Sequence, residues 1–267
     1  MRIALGLEYD GTRYFGWQSQ PGGRTVQDVL EQGIGEIAGE PVRVVCAGRT
    51  DTGVHARGQV VHFDTQVERP DSAWVKGVNT HLPSDIAVQW ATRVPDAFHA
   101  RFAAELRRYD YFLLNRPVRS ALDATTMGWF HAPLDLTRMQ KAAAHLLGEH
   151  DFSAFRSAEC QAKSPVRTMR RLDISRRGDV LQFTLEANAF LHHMVRNIVG
   201  CLVYVGKGKH SPEWLAELLE QRTRALAAPT FSPCGLYLTQ VHYAAVWALP
   251  TFPIIPLLSQ TTCAEPV

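Results

Sequence analysis

Paired cysteines are missing from this chain of 267 residues, and their absence argues against two classes of site. The cysteines are odd in number and irregularly spaced, and no two of them form a CxxC pair. A disulfide-stabilised secreted fold and a cysteine-based zinc site are therefore not expected, and the composition suits the reducing cytosol. The five residues are Cys46, Cys160, Cys201, Cys234 and Cys263.

Charged side chains are scarce near the end of the chain, where no Asp, Glu, Lys or Arg occurs between Arg224 and Glu265. Prolines interrupt that stretch, and Gly235 to Val241 has the pattern of a strand, so a membrane-spanning helix is not expected. A secretory signal is not expected either, because the chain starts with a strand-like segment followed closely by acidic residues.

Excess charge of one sign is also absent. The net charge is only +2, so any surface that binds nucleic acid must be a local patch. Arginines are dense at 101–108 and 167–177, and aromatic residues are interleaved with the first run. Arginine-rich segments of this kind usually form solvent-exposed faces, and contact with single-stranded RNA is the functional alternative.

The predicted secondary structure repeats one layout twice. In the first half, strands at 3–9, 42–47, 60–65 and 86–94 alternate with helices at 26–37 and 72–79. In the second half, strands at 106–114, 169–176, 180–187 and 236–243 alternate with helices at 136–147 and 190–205. An extra helix at 212–221 is expected to start with Ser211 as its cap. Each half has the order βαββαβ, the split-βαβ pattern.

Two such halves side by side predict an α+β fold with one extended, mainly antiparallel sheet. We expect helices on one face of this sheet and a central RNA-binding cleft across the other. The predicted domains are residues 1–104 and residues 105–248, and residues 249–267 form a proline-rich tail.

The segment from Cys46 to Gln59, CAGRTDTGVHARGQ, contains the leading candidate for chemistry. Asp51 is its only carboxylate and lies between Gly48 and Gly53, on a loop that joins two predicted strands. An acid on a glycine-hinged loop is placed to project toward a ligand. The alternative is an Asx-turn, in which Asp51 caps its own backbone, and residue types alone leave that alternative open.

Five ordered blocks of the chain resemble those of the tRNA pseudouridine synthase A family. The segment GRTDTGVHA around Asp51 is similar to the active-site motif of that family. The other blocks are the stretch from Tyr9 to Gln20, FHARFAAELRRYDY at 98–111, NAFLHHMVRNIVG at 188–200 and GLYL at 235–238. The resemblance spans residues 1–248.

The resemblance implies the pseudouridine synthase fold and the isomerisation of uridine to pseudouridine in tRNA. The implied targets are uridines on the 3′ side of the anticodon stem-loop, at tRNA positions 38, 39 and 40. It also implies a homodimer, expected in the cytoplasm, with tRNA as partner and no membrane. No cofactor, nucleotide or metal is expected, because the reaction oxidises nothing and adds no group. The alternatives are a non-catalytic RNA-binding protein of the same fold and an N-glycosidase that releases the base.

Asp51 matches the essential aspartate of the family, and we expect it to act as nucleophile or general base. The sequence leaves open whether it attacks the ribose C1′, attacks the uracil ring or removes a proton. Arg196 lies in a predicted helix that is apolar on nearly every face, so it should be buried and needs an anionic partner. We predict that Arg196 pairs with Asp51 and holds its pKa down. A structural ion pair elsewhere is the alternative.

Tyr109 is, by its match to the family, the expected platform on which the flipped uracil stacks, and a core or cross-strand aromatic is the alternative. Tyr111 is expected in the core. Leu236 resembles the apolar residue under the target base, and a core leucine fits its local pattern equally.

His192 and His193 are expected to point apart as neighbours on a helix, so they do not form a metal pair. The expected phosphate contacts are Arg24, Arg49, Arg57, His99 and Arg101. Trp17 and Gln18 are expected to contact RNA or to fix the first loop.

Overall fold

The computed structural model describes residues 1–250. The predicted proline-rich tail, residues 249–267, lies almost entirely outside the described residues. Within the described range, no helix is both long enough and apolar enough to cross a bilayer.

The first half of the chain forms four strands and the helices between them. Helix α1 begins after Thr25, whose side chain accepts a hydrogen bond from the backbone N–H of Asp28, and it ends at Gly39 in the left-handed conformation. The elements are β1 (Arg2–Tyr9), α1 (Val26–Ala38), β2 (Val45–Cys46), β3 (His55–Asp64), a π-helical turn (Ala73–Gly77), α2 (Val78–His81) and β4 (Ile86–Val94).

The second half repeats the order with two added strands, β6 and β7, and an added helix, α5. These elements are β5 (Ala104–Asn115), β6 (Gly128–Phe130), α3 (Leu136–Ala144), β7 (Gly148–Asp151), β8 (Val166–Arg177), β9 (Val180–Ala187), α4 (Met194–Gly206), α5 (Trp214–Gln221) and β10 (Leu236–Tyr243).

All ten strands found within residues 1–250 belong to one sheet, in which the main path is β4-β1-β3-β10-β5-β9-β8-β7. The neighbouring strands are antiparallel except for two pairs, β3 with β10 and β5 with β6. Strand β2 pairs with only the later part of β3, opposite Val61 and His62, and β10 pairs with the start of β3 at His55 and Ala56. The shortness of β2 therefore leaves the edge of β3 open for β10, and this contact joins the two halves.

The predicted α+β class and mainly antiparallel sheet are confirmed. The domain boundary between residues 104 and 105 stays a prediction. Several element bounds were wrong: β2 is two residues long, β3 begins at His55, α3 ends at Ala144, β8 begins at Val166, α4 begins at Met194 and α5 begins at Trp214, so Ser211 is not the residue that precedes it. The short strands β6 and β7 were missed, because three or four residues carry too little alternation to be recognised.

The loop that carries Asp51 lies on the helix-bearing face of the sheet. On that face, Phe63 of β3 packs against Trp74 of the π-helical turn, with ring centroids 5.3 Å apart. Alternation along β3 places Gln59 on the same face as Phe63, and the Gln59 amide donates to the backbone oxygen of Gly48 in the loop. This loop is therefore not on the helix-free face, where we expected the cleft.

The contact between β3 and β10 gives the first testable prediction. A Cβ atom added to Gly58 of β3 would lie 2.3 Å from the backbone oxygen of Thr239, where β10 changes register. Gly58→Ala is therefore expected to lower the free energy of unfolding by about 1–3 kcal/mol, measured by urea denaturation. Gly23→Ala is the control, because its Cβ meets only side chains at 3.4 Å. Equal stability of the two variants would contradict this account.

Candidate active site

The Asp51 loop is fixed to the sheet on both sides of the acid. The Tyr9 hydroxyl lies 2.8 Å from Oγ1 of Thr50, and the backbone N–H of Trp17 donates to the backbone oxygen of Thr50 at 3.0 Å. The backbone N–H of Val54 donates to the backbone oxygen of Asp51 at 3.1 Å. Trp17 is buried, which favours its role in fixing the first loop.

Two glycines make this loop possible. Gly53 has φ of +75°, in the left-handed region that favours glycine. Gly16 has φ of +82°, and a Cβ atom there would lie 2.8 Å from the Thr50 oxygen. The backbone of the first loop therefore approaches the Asp51 loop more closely than any side chain would allow.

The carboxylate of Asp51 meets the guanidinium of Arg196, as the sequence hypothesis requires. Nη1 of Arg196 lies 3.0 Å from Oδ2 of Asp51, and Nε donates to the backbone oxygen of Phe231 at 2.9 Å. The side chains of Asp51 and Arg196 are 18% and 14% exposed, so the pair is largely desolvated yet still reachable. This observation favours the hypothesis that the Asp51 side chain projects toward a ligand over the alternative that it caps its own backbone in an Asx-turn.

Two histidines that we expected to point apart also contact Asp51. Nε2 of His192 lies 3.3 Å from Oδ1, and Nε2 of His193 lies 3.5 Å from Oδ2. The expectation that their rings point apart is wrong, because α4 begins only at Met194 and His193 has φ of 63°. The left-handed turn brings the two rings to a centroid distance of 4.0 Å on one side of the carboxylate.

Opposing effects set the pKa of the Asp51 carboxyl. Burial raises this pKa, whereas the hydrogen bonds from His192 and Arg196 and the electrostatic interaction with His193 lower it, and the lowering prevails. The hydrogen bond to Asp51 raises the pKa of His192, and burial lowers the pKa of His193. Asp51 is therefore ionised near neutral pH although it is largely buried.

Asp51, His192 and His193 present ligand atoms that all lie within 4.8 Å of one another, a spacing that suits a metal ion. The guanidinium of Arg196 already contacts Oδ2 of Asp51, and its positive charge opposes a cation at that oxygen. This group of residues is therefore better arranged to keep a carboxylate ionised than to bind a metal.

Tyr109 and Leu236, the residues predicted to hold the base, lie on the face of the sheet that bears the Asp51 loop. Tyr109 is buried, its ring meets Phe190 edge-on at a centroid distance of 5.0 Å, and its hydroxyl lies close to Gly48 of the Asp51 loop. Leu236 is also buried and pairs across the strands with Tyr111, which places it on the same face as Tyr109. Tyr111 is fully buried and packs against Phe231 and Phe183, so its predicted core position is confirmed.

Arg107 is a positioning residue that sequence reasoning missed. Its buried guanidinium donates to four backbone oxygens, those of Ala47, Arg101, Ala104 and Asn188. It thus connects the base of the Asp51 loop, the segment before β5 and the segment that leads to the two histidines. The alternation in the segment RRYDY, which places Arg107 on the face of Tyr109, was a usable signal.

Two of the five predicted phosphate contacts lie near the base of the Asp51 loop. Arg49 and Arg101 are both exposed, and both act electrostatically on the buried thiol of Cys46, which begins this segment. They form a local positively charged patch, and with a low net charge any surface that binds nucleic acid must be such a patch.

The other three predicted phosphate contacts are placed differently. A register shift in β3 turns Arg57 to the opposite face, where it lines a pocket with Glu8. The guanidinium of Arg24 lies 5.1 Å from the ring centroid of Tyr14. Nδ1 of His99 accepts hydrogen bonds from two backbone N–H groups, which requires that nitrogen to be unprotonated. None of the three is brought to Asp51.

The arrangement can support nucleophilic or general-base chemistry. An ionised carboxylate is held by a largely buried guanidinium and is partly open to solvent, and the buried Tyr109 is close enough to experience its charge. These features suit attack on a neutral ligand or removal of its proton.

Comparisons with known proteins find relatives over most of this chain. A family model described as tRNA pseudouridine synthase matches residues 7–103 and 142–244. A protein of Dechloromonas aromatica (strain RCB) named tRNA pseudouridine synthase A is 60% identical over 250 residues, which cover 94% of this chain and 95% of that protein. Proteins of the same name from Paraburkholderia phytofirmans and Burkholderia thailandensis are each 59% identical, over 93% and 94% of this chain and 92% and 93% of their own lengths.

Among solved structures, one described as "Crystal Structure of a Cbf5-Nop10-Gar1 Complex" aligns with 88% of this chain and 48% of that chain, at 12% identity. Its TM-score of 0.37 is too low to support an argument about the fold.

The contact between His192 and Asp51 gives the second prediction. In Asp51→Asn the pKa of His192 is expected to fall, because its hydrogen bond to the carboxylate is the main cause of the raised value. Histidine titration by proton NMR measures this, and His150, which bonds to the backbone oxygen of Leu147, is the internal control.

The sign of the linkage follows from the raised pKa of His192. Protonation of His192 stabilises the fold fully below its unfolded pKa of about 6.5, and this stabilisation is lost as pH rises through the folded value. An unchanged His192 titration in Asp51→Asn would show that the ion pair is not formed in solution.

Proposed function

The chain belongs to the tRNA pseudouridine synthase family, and we propose that Asp51 is the carboxylate through which it converts uridine to pseudouridine in tRNA. Members of this family are isomerases, because uridine and pseudouridine contain the same atoms. The observation that carries the proposal for Asp51 is its desolvated contact with Arg196 at 3.0 Å.

The reaction sets three demands on the enzyme. The bond between uracil N1 and ribose C1′ breaks, a bond between C5 and C1′ forms, and one proton leaves C5 while another is gained at N1. The uridine must first be turned out of its stack, which costs a few kcal/mol. The enzyme must then supply a reactive group and retain the detached uracil.

Asp51 supplies the reactive group in this proposal. Attack on C1′, attack on the uracil ring and removal of a ribose proton all require an ionised carboxylate, and the lowered pKa of Asp51 provides one near neutral pH. Arg196 acts through Asp51 by fixing the orientation of the carboxylate and by holding it ionised. The three modes remain open within the proposal.

Tyr109 and Leu236 are proposed to retain the uracil. Both lie on the face of the sheet that bears the Asp51 loop, and stacking of a base on an aromatic ring is worth about 1–3 kcal/mol. That free energy offsets part of the unstacking penalty. Because Tyr109 now meets Phe190 edge-on, the Phe190 ring is expected to shift when uracil enters.

Arg49 and Arg101 are the phosphate contacts that the geometry favours, because they are exposed beside the Asp51 loop. The proposed substrate region is the 3′ side of the tRNA anticodon stem-loop, as the family resemblance implies. We extend the proposal to a homodimer in the cytoplasm, which sedimentation equilibrium and cell fractionation would test.

The third prediction tests Asp51 directly. Purified protein is incubated with unmodified tRNA that carries tritium at uracil C5, and Asp51→Asn is expected to bind this tRNA but to release no tritium to water. Wild-type protein should release tritium with no loss of RNA mass. Turnover by the variant at the wild-type rate would remove Asp51 from the proposed role.

The same assay distinguishes the proposed function from the two alternative functions of the wild-type protein. An N-glycosidase would release the uracil base, and a non-catalytic RNA-binding protein would release neither base nor tritium. Either result would overturn the proposed function.

The fourth prediction concerns Arg196. Arg196→Met is expected to lower kcat by about 100-fold or more, because the largely buried carboxylate loses its guanidinium partner and keeps only its contacts with His192 and His193. The control is Arg43→Met, which removes the exposed partner of an ion pair with Glu31 at 2.9 Å and should leave kcat unchanged. Near-normal kcat in Arg196→Met would refute the positioning role.

A further inference from the structure

We propose that Phe102 is a stacking platform for an unpaired base of the bound tRNA, separate from the position of the target uridine. The inference rests on the proposed function, because it assumes that RNA approaches the Asp51 loop. Phe102 lies in the segment between β4 and β5, and 76% of the residue is exposed.

The Phe102 ring is exposed but held in place. The His99 ring stacks on it with centroids 4.2 Å apart and an interplanar angle of 28°. Nδ1 of His99 also accepts hydrogen bonds from the backbone N–H groups of Arg101 and Phe102, both at 3.2 Å. The ring is therefore supported from one side, and a base that stacks on the open side immobilises little additional structure.

Arg107 places this segment next to the catalytic loop. Its Nη2 atom donates both to the backbone oxygen of Ala47, at the base of the Asp51 loop, and to that of Arg101, the residue before Phe102. The Phe102 platform and the Asp51 loop are thus connected through one guanidinium. In this proposal, RNA that reaches Asp51 also contacts Phe102.

The charges around Phe102 favour RNA over a protein partner. Arg101 lies 5.6 Å from the Phe102 ring centroid, and His99 experiences the positive charges of Arg2 and Arg101. Arg49 and Arg107 add positive charge at the neighbouring Cys46. An aromatic ring among guanidinium groups is the usual arrangement for single-stranded RNA, in which bases stack and phosphates are neutralised.

The fifth prediction uses a series of variants at position 102. Phe102→Ala and Phe102→Leu are expected to weaken tRNA binding by about 5- to 150-fold, because both remove the ring on which a base stacks. Phe102→Trp retains a larger ring and should bind at least as tightly as wild type. Binding of an unmodified tRNA transcript is measured by fluorescence anisotropy at one salt concentration, because electrostatic contacts vary with salt.

Leu122→Ala is the matched control. Leu122 is 94% exposed but follows the opposite end of β5, which spans 12 residues, so its loss should leave tRNA binding unchanged. The oligomeric state of each variant is measured by sedimentation in parallel.

Two results would overturn the stacking role. Wild-type affinity in Phe102→Ala would exclude any contact with RNA. Wild-type affinity in Phe102→Leu alone, or a changed oligomeric state with unchanged tRNA affinity, would indicate an apolar contact and not a stacked base. Tritium release by wild-type protein is recorded in the same preparation, so failure of the proposed function is recognised independently.

Discussion

The ion pair between Asp51 and Arg196 is the interaction on which the rest of the site depends. Its partners lie 145 positions apart in the sequence, one on a loop of the first half and the other in the first turn of α4 in the second half. A carboxylate that is mostly removed from water loses ionisation unless a positive or hydrogen-bonding group compensates. His192, His193 and Arg196 together provide this compensation, so the acid stays charged although it is largely buried.

The sheet determines whether this pair can form. Strand β10 joins the two halves by pairing with the start of β3, directly after the Asp51 loop. The two-residue β2 leaves that edge open, and Gly58 permits the close approach of Thr239. Arg107 then fixes three separate segments through their backbone oxygens. The geometry of the acid is therefore a property of the junction and not of either half alone.

The layout of the fold could be predicted because long elements carry strong periodicity, as α1 and β9 illustrate. The pair of Asp51 with Arg196 was predictable because a guanidinium in an apolar helix requires an anion. His192 and His193 were not recognised, since the apolar residues before them extended the helical pattern and the left-handed turn at His193 left no signal. The face on which Arg57 lies could not be predicted, because a register shift in β3 reverses it and a single sequence does not reveal such shifts.

The pKa of the Asp51 carboxyl tests most directly whether Arg196 holds this acid ionised. It is determined by carbon-13 NMR, and the carboxyl signal is assigned by its disappearance in Asp51→Asn. In wild-type protein we expect the Asp51 carboxyl to have a pKa below the ordinary value of 3.8. In Arg196→Met, burial without the guanidinium should raise that pKa. The same pKa in both proteins would show that Arg196 does not hold the acid ionised and would contradict the account.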